Sequence, residues 1–174
     1  MHTWEWDRFL ASAALCAVYH LGVFLLCVYL PPRAFDPRKR RYQPLGFEQN
    51  GKWYQKRLRI NQWKDRLPQH VGKGGFSKER LAAPSPAYLD AFILETCRSE
   101  WYHTGCLLLV LPLGAISLLY PSRLVIVLAV LALHLPFWPI QRYNRFRLAA
   151  LKERLERSAA GQPGIDETGR RRYT

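Results

Sequence analysis

Residues 104–120 read TGCLLLVLPLGAISLLY, residues 121–123 read PSR, and residues 124–140 read LVIVLAVLALHLPFWPI. Each apolar stretch is 17 residues long, close to the minimum that crosses the roughly 30 Å apolar core of a bilayer as a helix. We therefore predict transmembrane helices over 104–120 and 123–140. The break between them is short enough to require a helical hairpin, which returns the chain to the membrane surface that it left.

A third apolar run extends from Phe9 to Leu30 and ends at two prolines, which cannot continue a helix. Its length predicts another transmembrane helix over 9–30. A cleaved signal peptide is the competing interpretation, but the residues before the run, WEWDR, are not basic and the run is long for a signal core. The sequence thus predicts an all-α integral membrane protein with about three transmembrane helices.

Basic residues predict the orientation of these helices, because Lys and Arg concentrate in cytoplasmic loops. Residues 33–80 contain 14 Lys or Arg against 4 Asp or Glu, and 9 more Lys or Arg follow Ile140, whereas the hairpin turn contains only Arg123. We expect a multi-pass cell-membrane protein with its N-terminus outside and its C-terminus in the cytoplasm. The net charge of +13 is then explained by basic loops kept on the cytoplasmic side and by their contact with anionic lipids. The sequence contains no nucleic-acid-binding motif.

The remaining segments divide by composition. Residues 31–94 are rich in aromatic and basic side chains, which is typical of a small interfacial segment at lipid headgroup depth. We expect a polar helix start at 95–103, a cytoplasmic helix at 141–157 and a disordered tail at 158–174. The glycine-rich residues 72–78 lack the Walker spacing and are interpreted first as a loop.

Ionisable residues concentrate at both ends of the predicted hairpin. On a helix, Glu95, Glu100 and His103 share one face of about 140° at 100° per residue, together with Thr96 and Ser99. After the second apolar stretch, Gln141 and Arg145 share a helical face. His134 precedes Gln141 by seven residues on the same stripe. A polar packing network would explain either cluster alone, but two clusters at one membrane surface favour a functional site.

The residue types in these clusters suit acyl transfer. His103 beside Glu100 or Glu95 pairs a general base with a carboxylate that orients it, which is what removal of an alcohol proton requires. Four donors could stabilise an oxyanion or a thioester carbonyl: Arg98, Gln141, Arg142 and Asn144. Four basic residues of the interfacial segment could hold donor phosphates: Lys64, Arg66, Lys73 and Lys78.

Two alternatives use the same features. Glu100 and His103 have the Glu-x-x-His spacing of di-iron helical bundles, but such sites need a second motif and more carboxylates, so we predict no metal site. The cysteines at 16, 27, 97 and 106 show no paired spacing and are interpreted as packing residues. The chain could instead be a non-catalytic membrane partner or assembly factor of lipid or pigment enzymes.

Several short motifs in a fixed order make the chain resemble a known family. They are WKDRLP at 63–68, GFSK at 75–78, ETCRSE at 95–100 followed by His103, LP at 135–136 and QRYNR at 141–145. Together they resemble the glycosyl-4,4'-diaponeurosporenoate acyltransferase family over residues 9–147, nearly all of the chain except its tail.

This resemblance implies a small membrane enzyme that moves a fatty acyl group from a cytoplasmic thioester, acyl-CoA or an acyl carrier protein, to a sugar hydroxyl of a glycosylated carotenoid or lipid. No bound cofactor is expected, and the partners are membrane lipids and the two substrates. The motifs carry over one set of site residues: Glu95, Arg98, Glu100, His103, Gln141, Arg142, Asn144 and Arg145.

Overall fold

The computed structural model describes residues 3–67, 85–117 and 119–160, which are built from helices and turns. The six α-helices are α1 Thr3–Tyr29, α2 Lys52–Lys56, α3 Pro86–Leu108, α4 Val110–Ser117, α5 Leu124–His134 and α6 Phe137–Ala159. Short 3-10 helices cover Pro32–Phe35, Arg40–Tyr42, Gly46–Gly51, Ile60–Gln62, Lys64–Arg66 and Pro121–Arg123. The helical fold class predicted from the sequence is confirmed for the described residues.

Two segments are long and apolar enough to cross a membrane: Glu5–Tyr29, within α1, and Leu124–Ala159, which contains α5 and α6. They cover the predicted span over 9–30 except Leu30 and the predicted span over 123–140 except Arg123. The predicted span over 104–120 is divided between the end of α3 and α4, with Leu109 between the two helices, and this span stays a prediction.

The chain forms two compact units. We call Met1–Asp36 with Cys97–Gln141 the apolar unit, and Pro37–Thr96 with Arg142–Thr174 the basic unit. Helices α3 and α6 each begin in one unit and end in the other.

The apolar unit is held together by side chains of α1, α4 and α5. Leu113, Ile126, Val127 and Val130 form a buried cluster, against which Phe9 and other residues of α1 pack. Large apolar side chains on the other face of α1 stay exposed, with Leu15 and Val18 each 66% accessible. Such a surface suits lipid better than water.

In the basic unit, the helices that pack together are α3 and α6. Leu89 and Ile93 of α3 form a buried cluster with Leu148 of α6. The 3-10 helix at Gly46–Gly51 leads directly into α2 through three residues of positive φ, Gln49, Asn50 and Gly51. Gly51 has φ +89°, and a Cβ there would lie 3.3 Å from the Phe146 Cβ, so both the backbone and the packing favour glycine.

Candidate functional site

Three histidines from three helices form a chain of hydrogen bonds inside the apolar unit. The His103 Nδ1 of α3 lies 3.0 Å from the His134 Nδ1 of α5, and the His134 Nε2 lies 3.0 Å from the His20 Nε2 of α1. At the far end, the His20 Nδ1 lies 2.7 Å from the Cys16 backbone oxygen. His134 is buried, and His20 and His103 are partly buried.

The last acceptor in this series of hydrogen bonds, a backbone carbonyl, determines which ring nitrogen donates in each of them. A carbonyl oxygen can only accept, so the Nδ1 of His20 must donate and its Nε2 keeps the lone pair. The neutral His134 must then donate from Nε2 and accept at Nδ1, so His103 donates from Nδ1. Because a charge among packed, poorly hydrated rings is costly, we assign all three imidazoles as neutral. The His103 Nε2 is therefore left with a lone pair, as a general base requires.

Aromatic packing fixes the plane of the His103 ring. The Phe137 ring stacks on it with centroids 4.9 Å apart and an interplanar angle of 6°, and the neighbouring Tyr102 ring meets it edge-on at 5.2 Å. Tyr102 also meets His134 edge-on at 5.6 Å. These contacts restrict the direction of the His103 Nε2 lone pair, which favours catalysis by a positioned base.

The apolar unit also contains three other predicted site residues. Glu100 is buried, while Arg98 and Gln141 are partly buried. The Arg98 guanidinium lies over the Phe35 ring at 5.1 Å from its centroid. Among the described residues, the hydrogen-bond partner of His103 is His134, so the orienting role predicted for Glu100 or Glu95 stays a prediction.

In the basic unit, Arg142 makes a buried bidentate ion pair with Glu48. The Arg142 Nε lies 2.5 Å from Glu48 Oε1 and its Nη2 lies 2.8 Å from Glu48 Oε2. The guanidinium also donates to the carbonyl oxygens of Arg41 and Gln43 at 3.2 and 2.9 Å. Since every nitrogen of Arg142 donates within this unit, its geometry suits an anchor better than the predicted substrate contact.

Glu48 is held ionised by its surroundings. Burial alone would raise the pKa of its carboxyl, but hydrogen bonds from Arg142, the Leu45 amide and the Tyr54 hydroxyl outweigh burial and lower that pKa below its ordinary value. The Leu45 amide donates at 2.5 Å. Tyr54 shows the converse effect, because burial and the adjacent carboxylate raise the pKa of its phenol.

The other predicted residues of the basic unit have varied surroundings. Arg145 is buried with its guanidinium over the Tyr42 ring at 5.4 Å, Asn144 is buried and Glu95 is partly buried. Lys64 is paired with Asp65 at 2.5 Å, whereas Arg66 is exposed.

Lys78 and the glycine-rich residues 72–78 lie outside the described residues. The same holds for most of the predicted tail, since the described chain ends at residue 160.

Sequence reasoning missed His20 and Glu48. His20 lies 114 residues from His134 within an apolar run, and Glu48 lies 94 residues from Arg142. No short motif joins such distant residues. The signals available in the sequence were a histidine within an apolar run and one of the four acidic residues in a strongly basic segment.

Comparison with known proteins identifies the family. The family model for glycosyl-4,4'-diaponeurosporenoate acyltransferase matches residues 37–154. Enzymes of that name from Staphylococcus aureus strains N315 and USA300 are each 24% identical over 156 residues, which cover 86% of this chain and 93% of theirs. No solved structure matches significantly. The match spans more than half of the chain, and the chain therefore belongs to the glycosyl-4,4'-diaponeurosporenoate acyltransferase family.

Proposed function

We propose that this acyltransferase moves a fatty acyl group from a cytoplasmic acyl thioester to a sugar hydroxyl of a membrane-borne glycosylated carotenoid or glycolipid. The observation that carries the proposal is the directed histidine chain, which leaves a lone pair on the His103 Nε2. The names of the relatives, glycosyl-4,4'-diaponeurosporenoate acyltransferases, support a glycosylated carotenoid acid as the acceptor class.

In this mechanism, the His103 Nε2 removes the proton from the acceptor hydroxyl while the hydroxyl oxygen attacks the thioester carbonyl carbon. A tetrahedral oxyanion forms, and Arg98 and Gln141 of the same unit stabilise it by donating hydrogen bonds. The intermediate collapses, the carbon–sulfur bond breaks, and the leaving thiolate takes the proton from the His103 imidazolium. The products are an ester and a free thiol.

The histidine chain stabilises the imidazolium formed during the reaction. When the His103 Nε2 gains a proton, its Nδ1–H still donates to His134, and the chain beyond can polarise toward the new charge. His134 and His20 thus act as positioning residues. This is the role that an orienting carboxylate plays in other acyl-transfer sites.

The basic unit is proposed to receive the polar part of the donor. Arg66, Lys56 and the run at 38–40 are exposed, and exposed cations suit donor phosphates or anionic headgroups. Lys64 and Arg145 are proposed to bind the donor less directly, since they already contact Asp65 and Tyr42. Asn144 and Lys78 remain proposed substrate-binding residues, and Glu95 remains a proposed catalytic residue.

We also propose that α1 is retained and that the protein is multi-pass with its C-terminus in the cytoplasm. The packing of Phe9 and Ala13 against the buried cluster supports retention, as does the hydrogen bond from the Tyr19 hydroxyl to the Gly105 oxygen at 2.8 Å. A removed α1 would expose that cluster and break the histidine chain at His20.

The test is product analysis with the purified chain in lipid nanodiscs. Acyl-CoA or acyl carrier protein is supplied with a glycosylated carotenoid acid or a glycolipid, and new esters are identified by mass spectrometry. We expect an ester that depends on His103, with Thr104→Ala, an exposed neighbour on α3, as the matched control. If folded protein makes no ester with any pair and co-purifies with a stoichiometric enzyme, the non-catalytic partner function replaces this proposal.

A further inference from the structure

Three metal-ligand side chains converge in the apolar unit beside the proposed base. They are His20 from α1, Cys106 from α3 and His134 from α5, and one ligand atom from each lies within 4.8 Å of the other two. Cys106 is fully buried and His134 is 5% exposed. A thiol and two imidazoles grouped this closely away from water form a donor set typical of transition-metal sites.

The spacing of the two histidine nitrogens is close to that of a metal site. The two Nε2 atoms lie 3.0 Å apart. At zinc–nitrogen distances of about 2.0–2.1 Å, a tetrahedral ion places two nitrogens about 3.3 Å apart. A movement of a few tenths of an ångström by the rings of His20 and His134 would bring the two nitrogens to this spacing, and the Cys106 ligand atom lies within 4.8 Å of both.

Both histidine ligands also have the outer contact that orients metal ligands in proteins. The Cys16 carbonyl accepts from the His20 Nδ1 at 2.7 Å, which directs the Nε2 lone pair at the cluster. The His134 Nδ1 meets the His103 Nδ1 at 3.0 Å.

We propose that His20, Cys106 and His134 bind a thiophilic d¹⁰ metal ion, with Zn²⁺ as the reference case, through Nε2, Sγ and Nε2. The thiol releases its proton to solvent when the metal–sulfur bond forms, because the thiolate is the ligand. His134 then needs its Nε2 lone pair for the metal, and its ring proton occupies Nδ1.

Metal binding would reverse the hydrogen bond between His134 and His103. The His134 Nδ1–H now donates to the His103 Nδ1, so the proton of the neutral His103 ring lies on Nε2. That tautomer has no lone pair for the acceptor hydroxyl, and the metal-bound protein is inactive. This consequence rests on the proposed role of His103, whereas metal binding itself does not.

The test of binding uses the metal-stripped full-length protein in detergent, titrated with Co²⁺ as a spectroscopic probe and then with Zn²⁺ as competitor. We expect one cobalt ion per chain with a thiolate-to-cobalt charge-transfer band that Zn²⁺ abolishes. Cys106→Ser should remove the band and His20→Ala should weaken binding at least tenfold, while Cys97→Ser, another buried cysteine of α3, leaves both unchanged. A missing band in folded wild-type protein, or one that survives Cys106→Ser, would overturn the site.

The test of the consequence is a Zn²⁺ titration of acyl transfer. The wild-type enzyme should lose activity at about one Zn²⁺ per chain and recover with chelator, whereas Cys106→Ser should stay active at the same Zn²⁺ concentration. If cobalt binds but Zn²⁺ does not inhibit, only the proposed change of the His103 tautomer is overturned, and the metal site stands. If the chain transfers no acyl group at all, the cobalt spectrum still decides whether the metal site exists.

Discussion

At the scale of single residues, the tautomer of His103 depends on the direction of a series of hydrogen bonds that begins at one backbone carbonyl. Because the Cys16 oxygen can only accept, the His20 Nδ1 donates. The hydrogen bonds between His20 and His134 and between His134 and His103 then determine the tautomer of His103. An apolar ring at position 134 would keep much of the packing but would remove the hydrogen bonds with His20 and His103. His134 can therefore be tested separately from the base.

We predict that His134→Phe lowers kcat for acyl transfer on the order of 10²-fold with little change in KM for either substrate, because the base loses its orientation but the substrates keep their contacts. Steady-state kinetics in nanodiscs measure this split. A rise in KM with kcat unchanged would assign His134 to substrate binding.

The Glu48–Arg142 pair is the residue-scale feature that matters most for stability. Removing one partner of a buried ion pair leaves the other charged and unpaired, which costs about 3–5 kcal/mol. We predict a loss of this size for Glu48→Gln in thermal unfolding of the detergent-solubilised protein. The control is Glu153→Gln, which breaks the exposed pair with Arg157 and should cost less than about 1 kcal/mol. Equal losses for the two variants would refute the anchoring role.

The same pair predicts a pH dependence. Because the folded pKa of Glu48 lies below its unfolded value, the pair's contribution is fully present above the unfolded pKa of about 4.3 and is lost as pH falls through the folded pKa. Unfolding temperatures measured from pH 7 to 3 should therefore decline less steeply for Glu48→Gln than for the wild type. Parallel curves would show that Glu48 does not carry this acid sensitivity.

At the scale of helices, α1 and α3 approach closely where α3 has a glycine. A Cβ at Gly105 would lie 3.0 Å from the Val23 Cγ1, and the Gly105 carbonyl accepts the Tyr19 hydroxyl at 2.8 Å. Helix contacts in membranes commonly use small residues in this way. The contact matters for function because His20 lies on α1 while His103 and Cys106 lie on α3.

We predict that Gly105→Ala destabilises the protein by about 1–3 kcal/mol through overpacking and that adding Val23→Ala recovers most of the loss. Thermal unfolding of the single and double variants measures this coupling. Gly114→Ala is the matched control, since a Cβ there meets nothing within 4 Å. Failure of Val23→Ala to rescue would show that the close approach is not the cause.

Sequence patterns predicted the helices better than the contacts between them. The run from Phe9 to Leu30 located most of α1, which extends over Thr3–Tyr29, and the break at 121–123 lies at the turn between α4 and α5. The start of α3 at Pro86 was missed because the predicted helix began at the charge cluster at 95. The interruption at Leu109 was missed although Pro112 is a signal for it, because a proline within a helix lacks the N–H that would bond to residue 108 and clashes with the carbonyl of that residue.

The candidate site was predictable only where its residues share a local motif. Glu100 and His103 lie on one helix and were found by spacing, as was Gln141. The partner of His103 is His134, whose own partner is His20. These residues lie in distant parts of the chain, so periodicity within a segment carries no information about their contacts. The ion pair of Glu48 with Arg142 was missed for the same reason.

At the scale of the whole molecule, the charge asymmetry predicts the topology. We expect a fusion of green fluorescent protein after residue 160 to fluoresce in bacterial cells, because that protein folds in the cytoplasm, and a fusion after Ser122 in the hairpin turn to stay dark. The reason is the excess of Lys and Arg in residues 33–80 and after Ile140. A dark C-terminal fusion with a fluorescent turn fusion would invert the proposed orientation.

The central claim is that this chain transfers an acyl group by means of His103, and single-turnover ester formation measures it most directly. Purified wild type, His103→Ala and Thr104→Ala would be mixed in nanodiscs with labelled acyl thioester and glycosylated acceptor, and the labelled ester would be followed over time. The account predicts that His103→Ala slows ester formation by about 10²–10⁴-fold while Thr104→Ala matches the wild type. Ester formation at the wild-type rate by folded His103→Ala would contradict it.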